Sequence, residues 1–466
     1  MRLILPAKLL RGLWTTRTLP RARVRTSVTA IALFVLAALA TLTIFIRDPL
    51  VAWGYALGIF LLAGYYSARK ILLQTTFRFT VWGAALAVIS LWGFAQLAAG
   101  ATVYRYATWD ASLRTMALGA TAWVAANALG DAALRVRFLS AFAWFGFTVS
   151  LLSVMAYFTS PGHVLWAFPS PYPDVWGPFL SRNDFAGFIE LSLPVALWLS
   201  SDRAGVRVPL WVPAWMLAAG LAAGSRAGAI LLLAEAGVLL ALTSRRRATA
   251  KFVMLAALLA MVAGAGTLLG RFAEKDPFRY RREMAASTAQ MIRDHPWQGS
   301  GLGTYAYVYP AYATFDLGAT VEHAHNYWLE WAAEGGLPLA SVWLILALAV
   351  CVPAVRSIWG IGILAVFLHA LVDYPFARFG LTAWNFALMG ALHAASVRGV
   401  RSASHSLSGK RVGEHNRDKR IVGGSARDGA DPAFGAIPAM CGRGIARDRN
   451  GCDPGSLPPE PRHADE

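Results

Sequence analysis

Two histidines separated by one residue, His323 and His325, precede Asn326 in a polar stretch that also holds three arginines within four positions, Arg279, Arg281 and Arg282. An unperturbed imidazole titrates close to working pH, so a histidine there suits a general base that takes a proton from a hydroxyl. Planar guanidinium forks grip phosphate oxygens in pairs, so clustered arginines suit a phosphate or diphosphate. Solvation, or pairing with Glu274, Asp276 or Glu283, would account for one such arginine more easily than for three. Other candidates stand apart in the chain: Arg226 in Ser225-Arg226-Ala227-Gly228, Arg182 with Asn183, and His369 with Asp373 one helical turn apart, which read equally well as a satisfied pair. The run Gly299-Ser300-Gly301-Leu302-Gly303 has no strand before it and no Gly-Lys-Ser/Thr after it, so a tight turn is a better reading than an anion nest or nucleotide loop. No third and fourth ligand is spaced to join His323 and His325, so neither a metal nor a cofactor is expected, and Glu322, Glu330 and Glu334 read as plain loop and helix-start acids.

The elements that must position these groups are membrane helices. Of 466 residues, 56% are hydrophobic and 15% charged. The apolar residues come in blocks of roughly spanning length rather than in amphipathic stripes. The pattern predicts an all-α polytopic membrane protein with about twelve spans, at 28–46, 50–66, 79–100, 115–130, 138–158, 185–200, 208–223, 227–243, 252–269, 337–355, 357–373 and 379–397. Residues 1–27 carry seven basic residues and no acid, which predicts a cytoplasmic N-terminus. A cleaved leader fits less well, because the first apolar block is long and more spans follow. Basic residues then fall in alternate loops, at Arg69, Lys70 and Arg78, at Arg135 and Arg137, at Arg203 and Arg207, at Arg245–Lys251 and at Arg356, as the positive-inside rule requires. The net charge of +17 is therefore read as orientation and contact with anionic lipid, not as nucleic-acid binding. Three cysteines give no disulfide frame, and residues 398–466, rich in Gly, Ser, Arg, Asp and Pro, are expected to be a disordered cytoplasmic tail.

On the opposite face lie 159–184, the turn at 224–226, a long segment over 271–336, and Asp373-Tyr374-Pro375 with Arg378. Arginine is disfavoured there, and an anion site explains Arg182, Arg226, Arg279, Arg281, Arg282 and Arg378 together. Within the long segment, residues 281–295 read as a helix ended by His295-Pro296, and a second helix begins near Asn326. His325 is the expected base: packing at the helix start can fix its direction, and the helix N-terminus disfavours imidazolium. His323 is expected further out, with Glu322.

The segments WGPFLSRNDFAGF (176–188), GSRAG (224–228), RR…MIRDHPWQGSGLGTY (281–305), HAHNYWLEWAAEGG (323–336) and HALVDYP (369–375) together resemble the O-antigen ligase and polymerase superfamily of bacterial inner membranes. The resemblance implies a metal-independent, inverting transfer of a glycan from undecaprenyl diphosphate to an acceptor hydroxyl on the periplasmic face. It implies His325-Asn326 as the ligase histidine motif, Arg281 or its neighbour Arg282 as the loop arginine, and Arg226 as the Ser-Arg-x-Gly arginine. Ala285 stands where the family usually has an aromatic after the loop arginine. Arg182, Asn183, Arg279, His323, Asn326 and Asp373 are the expected substrate contacts. The acceptor is left open among lipid A core, a growing glycan and a protein hydroxyl, which correspond to a ligase, a polymerase and a protein O-oligosaccharyltransferase. A lipid-linked glycan flippase is the non-enzymatic alternative.

Overall fold

The computed structural model describes residues 18–172, 174–201, 208–241, 246–262, 279–314 and 320–396. The expected N-terminal arm before residue 18 and the tail from 398 lie outside the described residues. The chain is mostly helical: α1 (Thr18–Leu42), α2 (Pro49–Leu72), α3 (Val81–Ala99), α4 (Arg105–Ala128), α5 (Ala132–Thr159), α6 (Arg182–Leu199), α7 (Trp211–Ala222), α8 (Arg226–Ala241), α9 (Arg246–Val262), α10 (Arg279–Asp294), α11 (Tyr327–Arg356), α12 (Ile361–His369) and α13 (379–396). Over the described residues each predicted span overlaps a helix; residues 242–243, 263–269 and 397 of the predicted spans lie outside the described residues. By length and composition Pro49–Leu72, Val81–Ala99, Ala132–Thr159 and Tyr327–Arg356 suffice to cross a bilayer, while Val28–Leu42, Trp211–Ala222, Ala250–Val262 and Ile358–His369 are shorter apolar helices. One departure from an all-α chain is a two-residue hairpin, His163–Val164 against Phe168–Pro169.

Burial is distributed as a lipid solvent requires. Val28, Ile31, Val35 and Leu39 form an exposed apolar stripe along α1, and Leu50, Leu57 and Leu61 do the same on α2. Inside, small residues let backbones approach: a Cβ on Gly390 of α13 would strike the Ala122 carbonyl of α4, and one on Gly380 would strike that of Ala40 in α1. Trp384 of α13 fills the centre, its ring against Phe34, Phe138, Phe142 and Phe145 and its indole N–H donating to Thr41 Oγ1 at 2.9 Å. That aromatic knot ties α1, α5 and α13 together.

The long polar segment folds into discrete elements. Helix α10 is strongly two-faced, burying Met284, Ser287, Thr288 and Met291. These meet Tyr305, Tyr309, Ala324 and Ala333 in a small second core, separate from the large one among the membrane helices. Asn326 caps α11 by accepting from Leu329 N at 3.1 Å. Helix α11 breaks at Gly336, which has φ +73°, so 327–335 lies with the polar segment and 337–356 forms the long apolar helix. The break is a backbone crossing: Leu337 N donates to Pro296 O at 2.8 Å, and a Cβ on Gly336 would collide with the Trp297 carbonyl. On the facing strand of chain, a Cβ on Gly299 would collide with the Glu334 carbonyl. The two glycine runs are thus halves of one contact.

Candidate functional site

The start of α11 holds His325. Tyr327 N donates to Ala370 O at 2.8 Å, which docks the front of α11 on the segment after α12 and brings residues 323–326 against 370–378. His325 adopts φ +50°, a left-handed conformation that costs a non-glycine residue energy and is held only where surrounding contacts fix it. Its Nδ1 stands 3.3 Å from Asp373 Oδ1. A carboxylate can only accept, so Nδ1 donates this hydrogen bond, and in the neutral imidazole Nε2 is then the nitrogen with the lone pair. The Asp373 carboxyl is buried, which pushes its pKa up, but the His325 hydrogen bond and the charges of His369, His325 and Arg281 outweigh this and hold it below the usual carboxylate value.

Of the clustered arginines, Arg281 is half-buried and acts on Asp373, while Arg282 is exposed and Arg279 reaches Glu283 at 3.6 Å along the outside of α10. Met284, on the same face of α10 as Arg281, lines a cavity of about 200 Å³ together with Arg47, Tyr172, His323, His325 and Tyr374. The cavity therefore brings the His325 imidazole together with His323, Glu322 and the Arg47 guanidinium, while Asp373 and Arg281 stand outside its lining.

The structure redistributes several expected pairs. His369 does not pair with Asp373; its Nδ1 meets Glu190 Oε1 of α6 at 2.7 Å, both side chains buried, while Asp373 turns to His325. The turn that the spacing suggested is present, with Asp373 N donating to His369 O at 3.1 Å, but each side chain takes its hydrogen bond from a residue on another element. His323 is not with Glu322: its Nδ1 meets Glu330 Oε1 at 2.8 Å, and its ring stacks on Tyr374 at 4.5 Å. Burial works against the His323 imidazolium, but the charge and hydrogen bond of Glu330 outweigh it and raise its pKa. Glu322 instead pairs with Arg47 at 3.1 Å. Glu330 and Glu334 are not plain surface acids. They lie one turn apart on the buried face of α11, where Glu330 also accepts from Ala324 N at 2.8 Å and Glu334 from Tyr305 N at 2.9 Å. The glycine run is no anion nest, because its donors are spent on protein: Ser300 N to Ala333 O, Gly301 N to Glu334 O and Leu302 N to Gln96 Oε1.

The remaining candidates stand at the ends of α6 and α8. Arg182 opens α6 and reaches Asp174 at 3.0 Å, Asn183 N donates to Ser181 Oγ, and Arg378 meets Asp184 at 3.2 Å. Arg226 is the half-buried first residue of α8, behind Ser225, which accepts from Gly228 N at 3.2 Å. A Cβ on Gly228 would meet Ala186, so the start of α8 abuts the start of α6. Sequence reasoning missed Arg47, Tyr374, Glu330 and Glu334. The criterion that singles out arginines on the disfavoured face applies equally to Arg47; nothing in the spacing marked the glutamates as buried. Among the described residues, no group of three or more His, Cys, Asp or Glu is placed to hold a metal ion.

The arrangement defines a helical membrane protein with an imidazole–carboxylate pair and a neighbouring guanidinium beside one small cavity. Residues 212–344 match the family model described as O-Antigen ligase, which supports the O-antigen ligase superfamily over that part of the chain. The matched segment runs from α7 into α11 and includes Arg226, Arg279, Arg281, Arg282, His323, His325 and Asn326, while Arg182, Asn183 and Asp373 lie outside it. No curated protein matches the chain.

Proposed function

We propose that the protein transfers a glycan from undecaprenyl diphosphate to an acceptor hydroxyl at the periplasmic face of a bacterial inner membrane, with twelve crossings and both termini in the cytoplasm. The observation that carries this reading is the His325–Asp373 pair, with His325 lining a cavity that Arg47 also borders. In the proposed step His325 Nε2 takes the proton of the acceptor hydroxyl as its oxygen attacks the anomeric carbon. The bond from that carbon to the diphosphate oxygen breaks, the electron pair leaves with the diphosphate, and configuration inverts. Diphosphate leaves without protonation, so the main demand is charge stabilisation, which Arg281 and Arg226 would supply. Arg47, Arg182, Asn183, Arg279, Arg282, His323 and Asn326 are assigned to substrate contact or to shaping the cavity.

The test is transfer by purified protein in lipid nanodiscs, with a lipid-linked donor and candidate acceptors. Transfer lost in His325→Ala supports the reading; donor crossing between leaflets without transfer would replace it with a flippase. Reporters fused after Arg247 and within 316–320 should read cytoplasmic and periplasmic respectively. A deletion strain that loses glycan-capped lipid A and accumulates carrier-linked chains identifies a ligase, single-repeat products identify a polymerase, and loss of protein-linked glycan identifies a protein O-oligosaccharyltransferase.

A further inference from the structure

A second and larger cavity, about 310 Å³, lies behind the histidines, and His323 and Glu322 form the wall it shares with the cavity that holds His325. Its size is at the small end for pockets that enclose small-molecule groups. Tyr305, Tyr327, Trp331 and Trp343 supply aromatic surface, and Glu330 and Glu334 supply carboxyl oxygens. Among the described residues no lysine or arginine lines it. The indole N–H of Trp343, in the same wall, is buried with no hydrogen-bond partner.

We infer that this cavity binds a sugar ring that is uncharged or carries an amino group, and excludes rings bearing a carboxylate or phosphate. The inference rests on the glycan-transfer reading and deepens it. A sugar presents hydroxyl donors around its edge and C–H surface on its faces, which suits carboxyl acceptors set among aromatic rings. An anionic ring would meet the Glu330 carboxylate, and the one group in the lining able to carry positive charge, His323, is already paired with that carboxylate at 2.8 Å. The linings of the two spaces differ: Arg47 and His325 border the smaller one, where a diphosphate belongs, and Glu330 and Glu334 border the one behind it, where a ring would sit.

The test uses full-length protein in nanodiscs and three matched probes, methyl glucoside, methyl glucosaminide and methyl glucuronide, followed by ligand-observed NMR. The neutral and amino probes should bind at least about tenfold more tightly than the anionic one. Ala306→Trp, which fills the cavity from a partly exposed position in its wall, should abolish binding of all three, and Glu330→Gln should shrink the discrimination severalfold. Equal or tighter binding of the glucuronide, or neutral binding that survives Ala306→Trp in a protein of wild-type thermal stability, overturns the inference. Displacement of the probe by a short-chain polyprenyl-diphosphate sugar assigns the cavity to the donor ring, and displacement by free acceptor oligosaccharide assigns it to the acceptor. Displacement by polyprenyl phosphate lacking a sugar would make it a lipid pocket and overturn the proposal. Selective binding without any transfer leaves the cavity assignment standing and removes the catalytic reading.

Discussion

If Asp373 orients His325, removing its charge must slow transfer chiefly through the histidine. A hydrogen bond to a charged group contributes about 1.5–3 kcal/mol. At 3.3 Å this one is longer than the roughly 2.7–2.9 Å usual for charge-assisted pairs, so the lower figure applies. That figure corresponds to about tenfold in rate. Asp373→Asn should therefore lower kcat about tenfold with the donor KM nearly unchanged, whereas His325→Ala should cost about 10²–10⁴-fold. The decisive variant is the double one: with the base gone, Asp373 has nothing to orient, so His325→Ala with Asp373→Asn should be no slower than His325→Ala alone. Transfer assays on the wild type and three variants close the cycle. Additive losses would refute the coupling, as would an Asp373→Asn enzyme of wild-type rate. A pH series gives a second readout. The folded-state pKa of Asp373 is depressed, so its stabilisation is present above the ordinary carboxylate value and is lost as pH falls through the lowered one. The Tm deficit of Asp373→Asn at pH 7 should accordingly shrink once pH drops below about 4.

Arg281→Ala should reduce transfer by orders of magnitude and Arg282→Ala much less, because Arg281 acts on Asp373 while Arg282 is exposed; lysine at 281 should restore only part, having no bidentate fork. Rates for the three variants decide it, and equal losses at 281 and 282 would break the assignment. Glu334 is pushed up to about 8 by burial and by neighbouring Glu330, so the folded protein keeps it protonated while an unfolded chain would ionise it above about 4.3. Stability attributable to this group therefore falls as pH rises from about 4.3 to 8, and Glu334→Gln should raise Tm more at pH 8 than at pH 5. Gly336→Ala should destabilise by more than about 2 kcal/mol, seen as a lower Tm, since φ of +73° is strained for alanine and its Cβ would strike the Trp297 carbonyl.

Much of this layout was readable in the chain because it follows from local rules. Helix α10 ends where His295-Pro296 should end it, α11 begins behind Asn326, and the described part of each apolar block is helical. The break at Gly336 was legible as a boundary between polar and apolar segments, though not as a backbone crossing, because its cause is Trp297, distant in sequence. The side-chain partners were the illegible part. Spacing put His369 with Asp373 and adjacency put His323 with Glu322, yet each group found its partner on another element or a turn further on. Periodicity reports which face of a helix is apolar; it carries no term for the pairing of two buried charges across elements.

That re-pairing separates the roles of the two histidines. Glu330 and Glu334 extend from one face of the first two turns of α11, and each grips a different loop, Glu330 the histidine segment at Ala324 N and Glu334 the glycine turn at Tyr305 N. The same Glu330 holds the Nδ1 of His323, raising its pKa and favouring imidazolium, a state that cannot accept a proton. His325 has no such glutamate; its partner Asp373 comes from the segment after α12, whose position depends on Tyr327 docking at Ala370. The base is thus set by contacts between elements and its neighbour by contacts within one. His323→Gln should therefore leave the base in place and cost less rate than loss of Asp373, whereas cutting the α11 to α12 contact should misplace His325 without touching it. A His323→Gln variant slower than Asp373→Asn would reverse the two roles.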